Sequence, residues 1–298
     1  MRLPVLSIAL LLCSACRFGF DYPLGDGDAL APDNPDPDTP DAPIGAGADP
    51  CPVDLAGTVA LYTFDDDMEA TFADSQGNNP GDLVGGTAVD YRDGPQGCGK
   101  ALSFDASKQI YGQIDNTADW DLPLGSVDFW VWPADNGVLG DVAGILSRDA
   151  LGTVEGGHFT VYQWRHTTPD SIMARIQSLG DGLGNPLCST EPLQFGRWNH
   201  VGVNFGPPRT ELWVNGVKTD EIMQIPGFDG VEIIDCNTPT EQGIDGNSNP
   251  WTVGVSTGLS IDGGTDGYFR PLTDGAIDHL RISNVRRNFA VMTTAARD

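Results

Sequence analysis

An all-β sandwich is the fold class this sequence predicts, and three observations predict it. Glycine and proline are dense, at 38 and 22 of 298 residues, so long helices are interrupted throughout. Apolar residues recur in short runs with period-two alternation, bounded by Gly, Asn and Asp. The acid is mostly Asp, which suits turns and caps better than helix interiors. Hydrophobic residues make up 40% of the chain, enough to bury a sizeable core.

The chain opens on Met1-Arg2 and an almost wholly apolar run from Leu3 to Leu12. A run this short does not span a bilayer, which needs about 20 apolar residues, and it reads as the core of a signal peptide over residues 1–15. Ser14-Ala15-Cys16 resembles the bacterial lipobox, whose cysteine is lipidated and becomes the mature N-terminus. The resemblance implies lipidation at Cys16. Arg17 stands where inner-membrane lipoproteins carry Asp, which implies the outer membrane.

Residues 16–50 read as an acidic linker. Between 17 and 50 there are seven Pro, five Gly, eight Asp and one Arg, with no apolar period. Such a segment cannot bury enough surface to offset its ordering entropy, and like charges with Pro keep it extended.

From Cys51 to Asp298 the texture becomes that of one domain. Strands are expected at Val59–Phe64, Ala101–Phe104, Ile110–Ile114 and Ser126–Trp132, the last stopped by Pro133. His158–Trp164, Ser171–Ile176 and Trp198–Phe205 continue the series. Glu211–Lys218 is a hairpin, because Asn215-Gly216 supplies the two φ > 0 residues of a type I′ turn. Trp251–Val255 and Gly275–Ile282 complete the set, and only Phe289–Arg297 suits a short helix.

With Cys13 removed and Cys16 lipidated, four cysteines remain for an oxidising compartment: Cys51, Cys98, Cys188 and Cys236. Three connectivities are possible. Cys51–Cys98 with Cys188–Cys236 is favoured, because each pair then brackets one contiguous block. No pair has the close spacing of a zinc site.

A formal charge of −26, from 42 acidic and 16 basic side chains, argues against nucleic acid and against an electrostatic grip on anionic lipid. Neutral ligands, cations and basic protein surfaces remain open.

Seven segments, in order, resemble a laminin G-like domain of the concanavalin A-like superfamily. They are Val59–Asp65, Asp74–Asn78, Gly99–Asp105, Val127–Val131, Arg197–Val201, Leu212–Gly216 and Gly275–Ile282. The resemblance implies a jelly-roll sandwich of two antiparallel sheets and a recognition module. It names no ligand. It also implies a structural calcium ion, with Asp74, Asn79 and Asp278 at the matching positions. Turn chemistry for Asp74 and Asn79, and pairing of a partly buried Asp278 with Arg281 or a backbone amide, are the alternatives. A second oxygen-rich loop, Asp245–Asn249, begins like an EF-hand but has Ser256 where the closing Glu belongs.

The tryptophans within strands, Trp130, Trp132, Trp198, Trp213 and Trp251, are expected in the core. Trp164 ends a strand beside a polar turn and is the candidate ligand contact on a loop rim. Catalysis has little support. Gly254-Val-Ser-Thr-Gly258 matches the nucleophile-elbow pattern, but in all-β surroundings. The closely spaced acids of sandwich glycosidases are absent, and the four histidines are scattered. The expectation is a non-enzymatic envelope module that binds a glycan or an envelope protein. A structural or adhesive lipoprotein, and a glycoside hydrolase of the same fold, are the alternatives.

Overall fold

The structure is a computed structural model that describes residue 51 and residues 55–65, 70–85, 90–95, 98–105, 108, 110–133, 142–149, 157–165, 170–177, 185–226, 233–258, 268–272 and 274–292. The expected signal peptide, lipidated Cys16 and linker lie outside these residues.

In chain order the first strands are β1 Thr58–Tyr62, β2 Thr71–Phe72, β3 Gly81–Val84, β4 Asp90–Asp93, β5 Lys100–Ser103 and β6 Tyr111–Ile114. A 3₁₀ turn at Ala118–Trp120 precedes β7 Gly125–Trp132, β8 Val142–Arg148, β9 His158–Trp164 and β10 Ser171–Gln177. Then come β11 Asn185–Cys188, β12 Asn199–Phe205, β13 Glu211–Val214, β14 Val217–Thr219, β15 Met223–Pro226 and β16 Ile233–Cys236. The last four are β17 Trp251–Val253, β18 Val255–Gly258, β19 Tyr268–Pro271 and β20 Ala276–Ser283.

The strands form two large antiparallel sheets, as the sequence predicts. The first runs β14-β13-β12-β7-β20-β5-β4, with β1 also on β20, and the second runs β11-β10-β9-β8-β17-β6-β3-β2. Their inner faces meet in one apolar core. Val127, Phe129 and Val131 of β7 face Phe159 and Val161 of β9, Ile172 and Ala174 of β10, and Trp251 of β17. Strict alternation along β7 leaves Asp128, Trp130 and Trp132 on the opposite face. The β13–β14 turn has Asn215 at φ 53° and Gly216 at φ 81°, the mirror-image turn the sequence predicts.

Three local features differ from expectation. The Trp251–Val255 strand breaks at Gly254, φ 80°, where an added Cβ would collide with the Phe104 ring. Strand β8 carries no alternating signal: Ala143 and Gly144 are weak strand formers, and all seven of its residues are buried. At the C-terminus, Ala290 and Val291 form a turn, and the remainder of the expected helix, from 293, lies outside the described residues.

Both favoured disulfides are present, Cys51–Cys98 and Cys188–Cys236, each with Cα atoms 5.6 Å apart. They mark an exported protein. Among the described residues no helix is long and apolar enough to cross a membrane.

The end of β8 is closed by a buried cation. The Arg148 side chain is 1% exposed and donates to five acceptors. Nε reaches the Asn249 carbonyl at 3.2 Å, and Nη1 reaches the Trp120 and Ile244 carbonyls at 2.9 and 2.7 Å. Nη2 donates to Asn116 Oδ1 at 2.8 Å and to the Asn247 carbonyl. One guanidinium thus ties two loops, β6–β7 and β16–β17, to the second sheet. Arg148→Met should leave several buried acceptors without a donor and lower unfolding free energy by about 3 kcal/mol or more. Urea denaturation of the variant checks this; a loss under about 1 kcal/mol would contradict it.

Candidate functional site

The calcium set implied by resemblance does not come together. Asp74 is 5% exposed and its carboxylate is already full. Oδ1 accepts from the Leu61 and Gln76 amides at 3.0 and 2.9 Å, and Oδ2 from the Asn78 and Asn79 amides at 3.2 and 3.1 Å. The Asn79 side chain donates to Asp119 and accepts from Thr117. These two residues organise the loop between β2 and β3, and no hydrogen bond joins either to Asp278. Four amide donors on one carboxylate leave little for an ion, so Asp74 and Asn79 do not fit the role.

The EF-hand-like loop is also accounted for. The carbonyls of Asn247 and Asn249 point at the Arg148 guanidinium, and Asn247 Nδ2 donates to the Arg148 and Gly157 carbonyls at 2.9 and 3.1 Å. An internal side-chain cation occupies these oxygens.

Trp164 is a correction. It is 0% exposed and packs with Val142, Tyr162, Met173, Ile225 and the Cys188–Cys236 disulfide. The β15–β16 hairpin, held by that disulfide, lies over this side of the second sheet. Trp164 therefore lines no open rim. Ser256 of the elbow-like motif is also fully buried, and its neighbourhood is strand rather than a strand-to-helix turn.

The tryptophans divide unexpectedly. Trp120 and Trp251 are in the main core, edge to face at 6.4 Å. Trp130, Trp132, Trp198 and Trp213 instead lie on the outer face of the first sheet with Phe289 and Met292. The i, i+2 spacing of Trp130 and Trp132 carried this signal, since both oppose the inward Phe129 and Val131. Trp132 is only partly buried, and the Arg92 guanidinium lies 4.4 Å from its ring centroid.

Asp128 sits in the same face. Arg281 grips it with two bonds of 2.9 and 3.0 Å, and His200 Nε2 lies 3.3 Å from it. Burial pushes its carboxyl up, but the Arg281 and His200 partners outweigh that and hold it at about 2. His200 is 1% exposed between Trp130 and Phe289, a structural position that burial pushes towards the neutral form.

Asp278 has the opposite fate. It is 0% exposed, its Oδ1 accepts from the His279 amide at 2.7 Å and pairs with His279 Nδ1 at 2.9 Å. Its Oδ2 has no partner. Arg281 is turned to Asp128, so of the two expected partners of Asp278 the backbone amide, that of His279, is the one found. Burial, with Asp65 adding to it, raises the Asp278 carboxyl to about 6 against the opposing His279 bonds. Cys51, Cys98 and His279 present ligand-type atoms within 4.8 Å of one another, but the sulfurs are joined in the disulfide.

An open cleft of about 380 Å³ lies where β4 begins, β5 ends and β20 begins. Its lining includes Asp90, Tyr91, Arg92, Ser103, Asp105 and Asp274. Sheet register explains its floor: Trp132 pairs with Ala276, Ala276 with Ser103, and Ser103 with Asp90. Small residues at the two middle positions leave a depression between Trp132 and Asp90. Asp90 is bound by Lys108 Nζ at 2.6 Å, and Lys100 Nζ lies 5.8 Å from the Tyr91 ring centroid. The cleft thus sets carboxylates, a hydroxyl and a guanidinium in one row on the outer face, while Tyr91, paired with the core residue Leu102, alternates to the other face of β4. Sequence reasoning missed it, because its residues come from three distant segments.

No protein-family model matches the chain, and no curated protein matches it either. Solved structures do. Domain 4 of AbnA, a GH43 extracellular arabinanase from Geobacillus stearothermophilus in complex with arabinotriose, matches with a TM-score of 0.51 and 18% identity, over 80% of this chain and 98% of that one. Trypanosoma rangeli sialidase matches with a TM-score of 0.50 and 10% identity, over 83% of this chain but 33% of that one. The botulinum neurotoxin serotype D binding domain gives 0.48 and 12% over 80% of this chain and 50% of that one. At these identities the likeness is one of fold alone, a β-sandwich.

Proposed function

We propose that this protein is a laminin G-like envelope module that binds a glycan in the β4–β5–β20 cleft and does not cleave it. The observation that carries this reading is the cleft itself. Asp90, Asp105 and Asp274 can accept from sugar hydroxyls, and Arg92, held over the Trp132 ring, can donate to them. A net charge of −26 favours neutral polysaccharides over polyanions. The fold neighbours support a carbohydrate partner at the level of class. In this reading Cys16 is lipidated, the linker carries the domain off the outer membrane, and an envelope protein surface is the second kind of partner.

The first probes are arabinotriose, arabinan and a panel of neutral polysaccharides, followed by affinity electrophoresis and by release of reducing ends. Arg92→Ala should weaken retention at least tenfold, about 1.4 kcal/mol. Steady release of reducing ends that disappears in Asp105→Asn would instead make the protein a glycosidase, and retention of no glycan would favour the structural role. For the anchor, Cys16→Ser should move the protein from the membrane to the soluble fraction; unchanged fractionation would reject lipidation.

A further inference from the structure

The two disulfides of this domain sit in different chemical surroundings. Cys188 and Cys236 are 1% and 0% exposed, in an apolar cluster with Tyr162, Trp164, Met173 and Ile225. Cys51 and Cys98 are 7% and 4% exposed, and a ring nitrogen of His279 lies within 4.8 Å of both sulfurs.

The backbone and one buried carboxylate set that ring in place. His279 is the extra residue of the β20 bulge, and a bulge re-aims a side chain out of the regular alternation. Its φ of 46° is a left-handed conformation that glycine adopts at less cost, yet a side chain stands there. Asp278, at 0% exposure, then fixes the imidazole: Oδ1 accepts from His279 Nδ1 at 2.9 Å and from the His279 amide at 2.7 Å. With Nδ1 held by the carboxylate, Nε2 is the nitrogen left to carry a proton. The His279 side chain is 14% exposed, so solvent can renew that proton.

Cys98 is the fixed half of the pair. Its amide donates to the Pro95 carbonyl at 2.7 Å, and the Gly94 amide donates to the Gly99 carbonyl at 2.9 Å. A methyl group added at Gly94 would collide with Asp278 Oδ2 and lie 3.0 Å from the Cys98 carbonyl oxygen, so the glycine lets this turn close onto the carboxylate. Cys51 is the more exposed half.

We infer that Cys51–Cys98 is an exchange-active disulfide that takes a low-molecular-weight thiol, with His279 as the acid for the leaving sulfur and Asp278 as its positioning residue. The thiolate attacks Cys51 Sγ and forms a mixed disulfide there. The Cys51–Cys98 bond breaks, and its electron pair leaves on Cys98 Sγ. The His279 imidazolium gives that sulfur its proton and regains one from solvent, into which the attacking thiol has released its own. A second thiol attacks the mixed disulfide, frees Cys51 as a thiol and departs as the oxidised dimer of the reductant, so both electrons come from the thiol. A thiolate departs faster beside a cation that stabilises it. The chemistry is independent of the proposed glycan cleft.

Glutathione is the probe. The purified full chain, with its disulfides closed and without denaturant, is incubated with reduced glutathione; free thiols are alkylated at timed points and the peptides mapped by mass. Glutathione on Cys51 with an alkylated Cys98 should accumulate while Cys188–Cys236 stays closed. His279→Asn should slow this step at least about tenfold, and asparagine accepts the left-handed backbone. The sign of the change separates the roles: if His279 only packed the bulge, its loss would loosen the turn and speed the attack. Asp278→Asn should slow exchange as well, and His279→Asn decides alone where that variant fails to fold. Equal opening of both disulfides, or exchange in His279→Asn as fast as in the wild type or faster, would overturn the inference.

Discussion

The bulge in β20 is the constraint on which the rest of the first sheet depends. Against β7, Asp278 pairs with Trp130 and Arg281 with Asp128, so β20 advances three residues where β7 advances two. His279 takes up the extra residue at φ 46°, an uncommon conformation for a side-chain-bearing residue. Ile277 and Leu280 therefore both reach the core, and Asp278 and Arg281 both face outward. The same irregularity divides the strand's other edge. β5 pairs with Ala276 and Ile277, and β1 with Leu280 to Ser283. Without the added residue, Asp128 would lose its guanidinium and the sheet would have no branch point.

Charge is buried in this sandwich only where geometry repays it. Arg148 is surrounded by carbonyl oxygens at one end of the second sheet, and Asp128 is held by a two-bond guanidinium grip on the first. Both are satisfied within the chain. Asp278 is the exception, and it stands beside the disulfide, the glycine pair and the open cleft.

Much of the fold was legible in the sequence because the strong elements obey short-range rules. β7 reads as a strand from its β-branched and aromatic run, and its alternation also places Trp130 and Trp132 opposite the core. Asn215-Gly216 fixes its turn by backbone conformation alone. The disulfides followed from block order. The failures share one cause, which is contact across long separations. Trp164 looked like a rim residue until the β15–β16 hairpin covered it. Asp74 looked like an ion ligand because the three amides of its own loop and the Leu61 amide of β1 that it accepts cannot be counted from residue type. The EF-hand-like loop gave no hint that Arg148, nearly a hundred residues earlier, takes its carbonyls. The cleft is built from β4, β5 and β20, and only their register brings Asp90, Ser103 and Trp132 into one row.

The central claim is that recognition occurs at the β4–β5–β20 cleft. Hydrogen–deuterium exchange of the purified protein, with and without the neutral polysaccharide it retains most strongly, tests this directly. The account predicts slowed exchange of amides in residues 90–105 and 274–276, with β8 to β10 unchanged. Protection confined to β8, β9 and β10, with none at 90–105, would contradict it.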